Sequence, residues 1–557
     1  MQQTCEHCRE NFEITSSDLA FYDRVSPLFA GKKELIPPPR LCAPCREQQR
    51  MSFRNEWSFY HRECDLTGKK MLSIYSPDKP YKVYEQSVWW SDRFDPLAYG
   101  RDFDFSRPFF EQWQELSLAV PRASIHNAKS ENCEYTNYSS ENKNSYLAIG
   151  TLFSEDVLYS YRASRCKNIC DCYDPYECEL CYEVSFSKKL YDCRYCIECH
   201  NSNGLTLCSY CNGCTDCFGC VNLRNKKNHI FNEPFEPNDY QRRIQELQSD
   251  MPTTVSRYHS FKQTQPHRAV DAVNCEECSG DHLINCRNCH DVFVFKDSEE
   301  SRYCAFCEGN IHCMDANFSN GGELQYHSTN LVQNYHVLFA NHAWYDKNCI
   351  YVTSCFHSSN LFGCIGMKKH EYCIFNKQYT KEGYEELVPR IIEHMRNPSA
   401  GSGGEWGTYY PPEYSPFGFN ETAASIEHPL ERDDVLRRGW KWHDPASTER
   451  PQSEKVFEIP SSIQDVPDDI TSQIFYCEAT GKPYKITQQE LAFYRLMNVP
   501  LPHRCPDQRQ RDRVALRNPH RLWQRSCMKC SGEMTTTYAP DRPEIVYCSE
   551  CYLKEVY

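Results

Sequence analysis

The feature that most constrains the fold is a run of regularly spaced cysteines that ends at Cys220. Broken every fifteen residues, the run places Cys166, Cys181, Cys196 and Cys211 in one column. Within each line, small or apolar residues recur about every third position. Such a repeat has an inner and an outer side, which is typical of coils that bury their faces against neighbouring coils. The pattern predicts a narrow β-solenoid with a fifteen-residue period.

The repeat is itself duplicated in tandem. A constant offset of 144 residues carries Tyr159 onto Tyr303, and the same offset superposes further aromatic, glycine and cysteine positions. Each copy is followed by a helix-like stretch, at residues 239–251 and 382–395. Because an open sheet edge invites pairing with other chains, we expect these helices to cap the ends of the solenoid.

Most solenoid thiols are predicted to pack in the core. Val337 and Ala340 of the second copy stand opposite Cys193 and Cys196 of the first, so apolar residues can replace them. Reduced cysteine packs as a small hydrophobic side chain. The alternative is additional metal binding, for which the candidates are Cys193, Cys196 and Cys199 in the first copy and Cys275, Cys278, Cys286 and Cys289 in the second.

Both ends of the chain carry pairs of Cys-x-x-Cys motifs. Two such pairs form a tetrahedral site of four thiolates that binds Zn²⁺ and leaves no open position for catalysis. A site of this kind can stabilise a small unit that has little apolar core. The sequence therefore predicts two structural zinc sites, and further sites belong to the alternative in which the solenoid clusters named above bind metal. The ligands are Cys5, Cys8, Cys42 and Cys45 at one end, and Cys527, Cys530, Cys548 and Cys551 at the other.

The first of these units resembles the zinc-ribbon domain of many uncharacterised bacterial proteins. The resemblance rests on an opening Cys-x-x-Cys, the pair Phe21-Tyr22, several prolines, and the closing stretch Pro38-Pro39-Arg40-Leu41-Cys42-Ala43-Pro44-Cys45-Arg46. It covers about 50 residues. The resemblance implies zinc and carries almost no information on activity.

The two terminal units are duplicates that have lost complementary sites. Residues 64–89 align without a gap with residues 527–552, but Thr67, Glu85 and Val88 occupy three of the four ligand positions. Conversely, the stretch after Cys477 repeats the N-terminal ribbon, with Thr480 and Gln508 replacing two ligands. Since valine cannot bind a metal, the copy at residues 64–89 is predicted to have lost its metal and to be held by packing.

Together these patterns predict a multidomain, mainly β protein in which two duplicated zinc-ribbon heads, each small and α+β, flank a tandemly duplicated, cysteine-rich β-solenoid with capping helices. The predicted units are a zinc-ribbon head with an arginine helix (1–62), a degenerate second ribbon (63–92), an aromatic connector (93–131), the first solenoid copy with its cap helix (132–252), the second copy with its cap helix (275–396), an irregular linker (397–470), a degenerate first ribbon with an arginine stripe (471–525) and a C-terminal zinc ribbon (526–557).

Arginines follow both heads at intervals of four residues. Spacing by four keeps neighbouring side chains near one face of a helix. Guanidinium groups on such a face can bind phosphates, which makes the stripe a nucleic-acid candidate. The alternative is a structural role, in which the arginines pair with acidic side chains or pack on aromatic residues. The residues are Arg46, Arg50 and Arg54 in the first head, and Arg509, Arg513, Arg517 and Arg521 in the second.

Overall charge and composition narrow the function classes. The chain has 62 Lys and Arg against 76 Asp and Glu, a net charge of −14, so the whole molecule is not a general polyanion binder. The N-terminus shows no secretory signal pattern and no run is long enough to span a membrane, so we expect a cytoplasmic protein with reduced thiols and no membrane partner. Disulfides in an exported protein are the alternative explanation of the 36 cysteines.

The leading functional hypothesis is a non-catalytic, zinc-binding protein whose arginine helices bind nucleic acid, with RNA favoured over DNA. A protein-interaction scaffold built on the solenoid, with the arginines docking an acidic protein surface, is the second hypothesis. A β-helix carbohydrate-active enzyme is the third, and it lacks a clear acid–base pair. The sequence shows no phosphate-binding loop, zinc-protease motif or nucleophile elbow.

Overall fold

The computed structural model describes residues 1–397, 404–444, 459–460 and 462–556. The fold combines α-helices with many short β-strands, most of which belong to two large parallel sheets. The strand-rich character expected from the sequence is therefore present. The predicted linker at 397–470 falls partly outside the described residues, and its described parts contain short helices at Ala424–Glu427 and Arg432–Arg437.

The first parallel sheet lies within residues 127–234, which we call ladder 1. Each strand pairs with the next at a register of twelve residues, as in Glu155 with Lys167 and Lys167 with Glu179. Isolated parallel bridges on the other sides of the ladder, such as Tyr161 with Tyr173, keep the same register. The strands are Glu155–Leu158, Lys167–Cys170, Glu179–Tyr182, Lys188–Arg194, His200–Thr206, Thr215–Phe218 and Lys227–Ile230, closed by the antiparallel Glu233–Pro234.

The second sheet lies within residues 272–378, which we call ladder 2, and it repeats the twelve-residue register. Its strands are Ala272–Val273, Gly280–Ile284, Val292–Lys296, Ala305–Glu308, Met314–Asn320, Tyr326–Val332, Tyr335–Leu338, Asn341–Trp344, Lys347–Ile350, Thr353–Phe356, Ser359–Phe362, Glu371–Ile374 and Lys377–Gln378.

The fifteen-residue period predicted from the cysteine columns is wrong as the length of one turn. The chain places a buried side chain inside the ladder at every third residue, as at Val157, Ile169, Cys172 and Cys181. Both twelve and fifteen are multiples of three, so a fifteen-residue alignment still groups inward positions. Because fifteen exceeds twelve by three, each line of the fifteen-residue alignment begins one three-residue group later in the turn than the line before it. Columns of aligned sequence do not show this displacement.

Backbone geometry explains why the unit is three residues. One residue in each group of three has a left-handed φ, as in Asp156 (54°), Tyr159 (48°) and Arg162 (55°). This conformation is disfavoured for residues with a Cβ and persists only where surrounding structure enforces it. Here the parallel hydrogen bonds to the turns before and after hold each corner in place.

Inward cysteines and serines play the same part in this scaffold. The Cys196 thiol donates to the Arg194 carbonyl oxygen at 3.3 Å, and the Ser187 hydroxyl donates to the Ser185 carbonyl oxygen at 2.8 Å. Both groups therefore satisfy a carbonyl two residues earlier. Cysteine does so while adding a small apolar group to the core, which agrees with the prediction that most of these thiols pack.

Helices close the ladders and form the terminal units. Pro237–Ser249 and Met251–Gln263 follow ladder 1, Lys381–Arg396 follows ladder 2, and Phe109–Ala119 packs its aromatic face in the main core. The N-terminal unit contains the strands Gln2–Thr4, Asn11–Glu13, Leu28–Phe29, Lys32–Lys33, Tyr60–Glu63, Lys70–Ser73 and Val83–Tyr84 with helices Ser16–Val25, Ala43–Met51 and Gln86–Trp90. The C-terminal unit contains Phe475–Tyr476, Pro483–Tyr484, Trp523–Ser526, Glu533–Thr536 and Val546–Tyr547 with helices Gln488–Met497, Pro506–Ala515 and Ser549–Val556.

The two ladders lie side by side and run in opposite directions. The centre of the ring of His126, the residue just before ladder 1, lies 3.9 Å from the centre of the ring of His342 in the later part of ladder 2. Further along ladder 1, the centre of the Phe186 ring lies 4.6 Å from the centre of the His282 ring, which is near the start of ladder 2. Halfway between these contacts, the Arg162 guanidinium lies 4.7 Å from the centre of the ring of Phe306.

Arg162 and Phe306 occupy the same position of the two sequence copies, because they are separated by 144 residues. Because the two ladders run in opposite directions, a residue can contact its own counterpart only near an axis that relates the copies by a half turn. The contact therefore places a pseudo-two-fold axis between the ladders.

Candidate metal centres and arginine clusters

The N-terminal cysteines come together as one group. The sulfur atoms of Cys5, Cys8, Cys42 and Cys45 all lie within 4.8 Å of one another. The Cys8 and Cys42 sulfurs are 3.6 Å apart, and the Cys42 amide donates to the Cys5 sulfur at 3.4 Å. Cys42 is the N-cap of the helix Ala43–Met51, so the second pair of ligands sits in and just before its first turn. A hydrogen bond from Cys45 lowers the pKa of the Cys42 thiol to about 5.

The C-terminal cysteines form an equivalent group. The sulfur atoms of Cys527, Cys530, Cys548 and Cys551 also lie within 4.8 Å of one another. The Cys548 amide donates to the Cys527 sulfur at 3.3 Å. Burial raises the pKa of Cys527, but backbone amides such as that of Cys530 outweigh it and lower the pKa to about 6. Either group could therefore hold a metal ion, and four thiolates leave no coordination position open.

The decayed copies keep the local geometry of a metal site. The Glu85 amide donates to the Cys64 sulfur at 3.3 Å, the same contact that Cys548 makes with Cys527. In the C-terminal stretch that aligns with the first 50 residues, the Thr480 hydroxyl lies 3.9 Å from the Cys505 sulfur. Amide-to-sulfur contacts and packing thus maintain these turns without a full set of ligands.

Arginines of the N-terminal unit are buried against ladder 2. The Arg46 Nε lies 2.8 Å from Asp315 Oδ2, and the Arg50 Nη1 lies 3.2 Å from Asp315 Oδ1. The side chains of Arg50 and Asp315 are both 0% exposed. Arg54 pairs with Glu56 at 2.6 Å and lies between two rings of the ladders, those of Tyr138 and Phe318.

Arginines of the C-terminal unit are buried in the same way against ladder 1. The Arg513 Nη1 lies 2.6 Å from Asp171 Oδ1, and Arg509 binds the other oxygen of the same carboxylate at 2.5 Å. Arg517 forms an ion pair with Glu427. Arg521 differs from the other six predicted nucleic-acid residues, because its side chain is exposed and lies 5.5 Å from the centre of the Trp523 ring.

The two clusters are copies of one arrangement. Asp171 and Asp315 are 144 residues apart, as are Tyr159 and Tyr303. The Tyr159 hydroxyl donates to Glu490 at 2.7 Å, and the Tyr303 hydroxyl donates to Asp18 at 3.4 Å. Asp18 and Glu490 are the third residues of matching capped helices. The N-terminal head therefore binds the second ladder, and the C-terminal head binds the first.

The ladder carboxylates were missed in the sequence because arginine patterns alone do not identify a distant partner. The sequence nevertheless contains a pattern that identifies these two carboxylates. Asp171 and Asp315 match under the same offset that identifies the duplication, and each is buried with 0% of its side chain exposed. A buried carboxylate requires a paired cation, and the arginines are the cations that recur with it.

The alternative cysteine clusters are not gathered like the terminal groups. Among the described residues, the two terminal tetrads are the groups whose sulfurs all approach within 4.8 Å. Cys193, Cys196 and Cys199 are fully buried, and their thiols donate to carbonyl oxygens two residues earlier. Metal binding at these three residues stays a prediction. Cys275, Cys278, Cys286 and Cys289 lie at the start of ladder 2.

A second buried charged group lies between the ladders. The His282 Nε2 is 3.8 Å from Glu198 Oε1, and its Nδ1 is 3.3 Å from Asp281 Oδ1. Burial lowers the pKa of His282, but Asp281 and Glu198 outweigh this effect and raise it to about 10. The ladder contact therefore includes an ion pair that depends on the charged imidazole.

Comparison with models of known protein families gave no match, and comparison with curated proteins also gave none. The resemblance of the first 50 residues to bacterial zinc ribbons accordingly stays a prediction. In the described part of the chain, every helix is too short or too polar to cross a bilayer.

Proposed function

We propose that the protein is a non-catalytic binding scaffold in which two zinc-stabilised heads fasten a pair of β-solenoids together. The observation that carries this proposal is the pair of buried arginine–aspartate clusters. Six of the seven arginines that were predicted to bind nucleic acid instead contact carboxylates or aromatic rings inside the molecule. The heads therefore supply internal fasteners.

Zinc fits the terminal tetrads on chemical grounds. Soft thiolates favour Zn²⁺ and Cu(I) over hard cations, and a set of four thiolates suits tetrahedral Zn²⁺. Each head is small and relies on few buried apolar side chains around its cysteines. Binding free energy at such a site stabilises the folded unit directly. We infer that zinc keeps each arginine helix in position for its ladder.

Interpreting the ladders as β-solenoids explains the remaining surface. A twelve-residue turn with side chains packed inside presents rows of outward side chains to solvent. Charges in these rows pair with the next turn, as in Lys296 with Glu308 at 2.7 Å and Arg287 with Glu299 at 2.6 Å. Since such rows neutralise themselves, they favour a protein surface over a polyanion as partner.

Nucleic-acid binding stays a prediction that the arginine geometry does not support. It is tested by titrating fluorescent single-stranded RNA and duplex DNA with the zinc-loaded protein at two salt concentrations. The scaffold proposal predicts no saturable binding in the micromolar range. Tight binding that weakens steeply with salt, and that Arg521→Glu reduces, would show that phosphate contacts exist and would refute the proposal.

Metal content is the companion measurement. Native mass spectrometry of the full chain should show two zinc ions, one lost when Cys8 is replaced by Ser and the other lost when Cys530 is replaced by Ser. Cys133→Ser is the matched control, because this half-buried thiol lies outside both tetrads. A chain that holds no zinc after purification under zinc-replete conditions would contradict the structural role of the tetrads.

A further inference from the structure

The N-terminal end of ladder 2 is an open sheet edge. In its first turn, the Glu276 amide donates to the Cys286 carbonyl oxygen at 3.0 Å, and the Asn288 amide donates to the Glu276 carbonyl oxygen at 2.9 Å. These bonds join the first turn to the second. Among the described residues, no backbone partner lies on the other side of the first turn for the amides of Asn274 and Glu277. We call residues 273–278 the open edge.

The second turn shows what the free amides of the open edge can bind. The amides of Asn285 and Asn288 occupy the equivalent positions one turn deeper, eleven residues further along the chain, and donate to carbonyl oxygens of the first turn at 3.0 and 2.9 Å. The amides of Asn274 and Glu277 can donate in the same way to an extended segment laid on the first turn. Addition of a strand to a free sheet edge is a recurrent mode of peptide recognition.

Inward side chains of the open edge are incompletely covered. Cys275 and Cys278 are half-buried, whereas Cys286 and Cys289, in the same positions one turn deeper, are buried. Val273 is 50% exposed. A segment added to the edge would therefore bury apolar surface as well as pair backbone groups, and burial of apolar surface is the main favourable contribution to most protein association.

The opposite ends of both ladders are closed by the chain itself. Ladder 1 ends in the antiparallel strand Glu233–Pro234, and Phe231 shares an apolar cluster with Tyr240 and Tyr258 of the two following helices. Ladder 2 ends in the antiparallel strand Lys377–Gln378. The open edge carries no such strand in the described part of the chain, so its backbone groups are left to solvent or to a partner.

Charge at the open edge favours a basic partner. Glu276 and Glu277 are both exposed, and neither has an ion-pair partner among the described residues. The corresponding edge of ladder 1 has a cation, Lys129, and a polar inward residue, Ser130, in place of Cys275. The open edge of ladder 2 therefore offers the stronger combination of negative charge and exposed apolar surface.

A second copy of this chain is a poorer occupant of the open edge. The ladder ends that it could present carry Glu276 and Glu277, or Glu131 and Glu134, all of which are exposed. Carboxylates would then face carboxylates across the new strand pair, and like charges directly opposite each other destabilise paired strands.

We propose that the open edge binds an extended segment of a partner protein that is rich in lysine or arginine, a partner class that rests on the scaffold function proposed above. The segment pairs its backbone with the amides of Asn274 and Glu277. It places small apolar side chains over the two half-buried thiols and its cations beside Glu276.

The probe is a fluorescent peptide of four Lys-Asn-Ala repeats, which copies the three-residue pattern of the ladder. Asparagine stands at the left-handed positions, as at Asn274 and Asn285, and alanine stands at the inward ones. Titration of this peptide with the zinc-loaded full chain should give saturable binding that weakens as salt is raised. A peptide of four Glu-Asn-Ala repeats should bind at least tenfold more weakly.

Charge-reversal variants locate the binding. Glu276→Lys/Glu277→Lys should weaken binding of the lysine peptide at least tenfold. The matched control is Glu299→Lys/Glu300→Lys, which makes the same charge change two turns deeper, since Glu276 pairs with Arg287 and Arg287 with Glu299. This control should weaken binding less than threefold.

Thiol protection tests contact with the edge in the wild-type chain. With the lysine peptide at about ten times its Kd, alkylation of Cys275 and Cys278 should slow about tenfold. Alkylation of Cys133, at the start of ladder 1, should stay unchanged.

Four results would overturn the proposal: no saturable binding of the lysine peptide, equal affinity in the two double variants, binding that leaves Cys275 and Cys278 unprotected, or self-association of the chain that protects these thiols without peptide. The last result would make a second copy the occupant. Amide exchange in the helices Ala43–Met51 and Pro506–Ala515, measured in the same samples, reports separately on whether the heads fasten the ladders. Failure of the docking edge is therefore distinguishable from failure of the scaffold proposal.

Discussion

Replacing Asp171 with Asn should release the C-terminal head from ladder 1. Asp171 accepts hydrogen bonds from Arg509 at 2.5 Å and Arg513 at 2.6 Å, and its side chain is fully buried. The substitution preserves the shape of the side chain and removes its charge, so two guanidinium groups are left buried without a full counter-charge. Removing one partner of a buried pair typically destabilises a protein by about 3–5 kcal/mol.

The loss should be local, so the assay must resolve regions of the chain. A protein of several packed units has no single free energy of unfolding, whereas amide hydrogen exchange reports the opening of each helix. A loss of about 3 kcal/mol corresponds to exchange accelerated by more than a hundredfold. We expect this acceleration in the helix Pro506–Ala515, with little change in Ala43–Met51.

The pseudo-symmetric substitution supplies the decisive comparison. Asp315→Asn should accelerate exchange in Ala43–Met51 and spare Pro506–Ala515, because Asp315 pairs with Arg46 and Arg50. Asp174→Asn is the matched control, since Asp174 forms a partly exposed pair with Arg162 and should lose about 1 kcal/mol or less. If Asp171→Asn and Asp174→Asn gave equal effects, or if both helices responded to either buried substitution, the proposed docking would be wrong.

Three further predictions follow from the geometry. Restoring ligands with Thr67→Cys/Glu85→Cys/Val88→Cys beside Cys64 should raise the zinc content by one ion per chain, whereas Val88→Cys alone should leave it unchanged, as counted by native mass spectrometry. The folded-state pKa of His282 is raised to about 10, so the stabilising effect of the charged imidazole should be complete below about pH 6.5 and be lost as pH rises to about 10. The difference in thermal midpoint between wild type and His282→Gln should therefore shrink over that pH range. A constant difference would refute the ion pair. Gly280→Ala should lower the thermal midpoint more than Gly439→Ala, because an added Cβ would meet the Val292 carbonyl oxygen at position 280 and open space at position 439. Equal shifts in the thermal midpoint would contradict the close approach of Val292 to Gly280.

Local features of this protein were predictable from the sequence because they depend on short-range spacing. The Cys-x-x-Cys pairs identified both tetrads, and the alignment of the terminal units identified the positions where Thr67 and Val88 replace ligands. The helix-like stretches at residues 239–251 and 382–395 also fall on helices of the structure, Pro237–Ser249 and Lys381–Arg396. In each case the signal and the structure lie within the same few residues.

The remaining features depend on contacts between distant parts of the chain. The turn length was mistaken because the three-residue inward period is shared by twelve and fifteen. The role of the arginines was undecided because a stripe such as Arg509 and Arg513 looks the same whether it faces phosphate or a carboxylate. Asp171 lies more than 300 residues away, and only the fold brings it beneath the helix.

The most direct test of the scaffold account is hydrogen exchange of the zinc-loaded chain before and after zinc is removed by a chelator. If zinc holds the heads in place, exchange in Ala43–Met51 and Pro506–Ala515 should be slow with zinc. Chelation should accelerate it most strongly in Ala43–Met51, whose first turn carries Cys45 of the N-terminal tetrad. Exchange in helix Ser549–Val556, which carries Cys551 of the C-terminal tetrad, should accelerate as well, while exchange in ladder strands such as Glu179–Tyr182 should stay slow. Heads that exchange rapidly even with zinc bound, or that remain unchanged after complete zinc removal, would contradict the claim that metal-stabilised heads fasten the ladders.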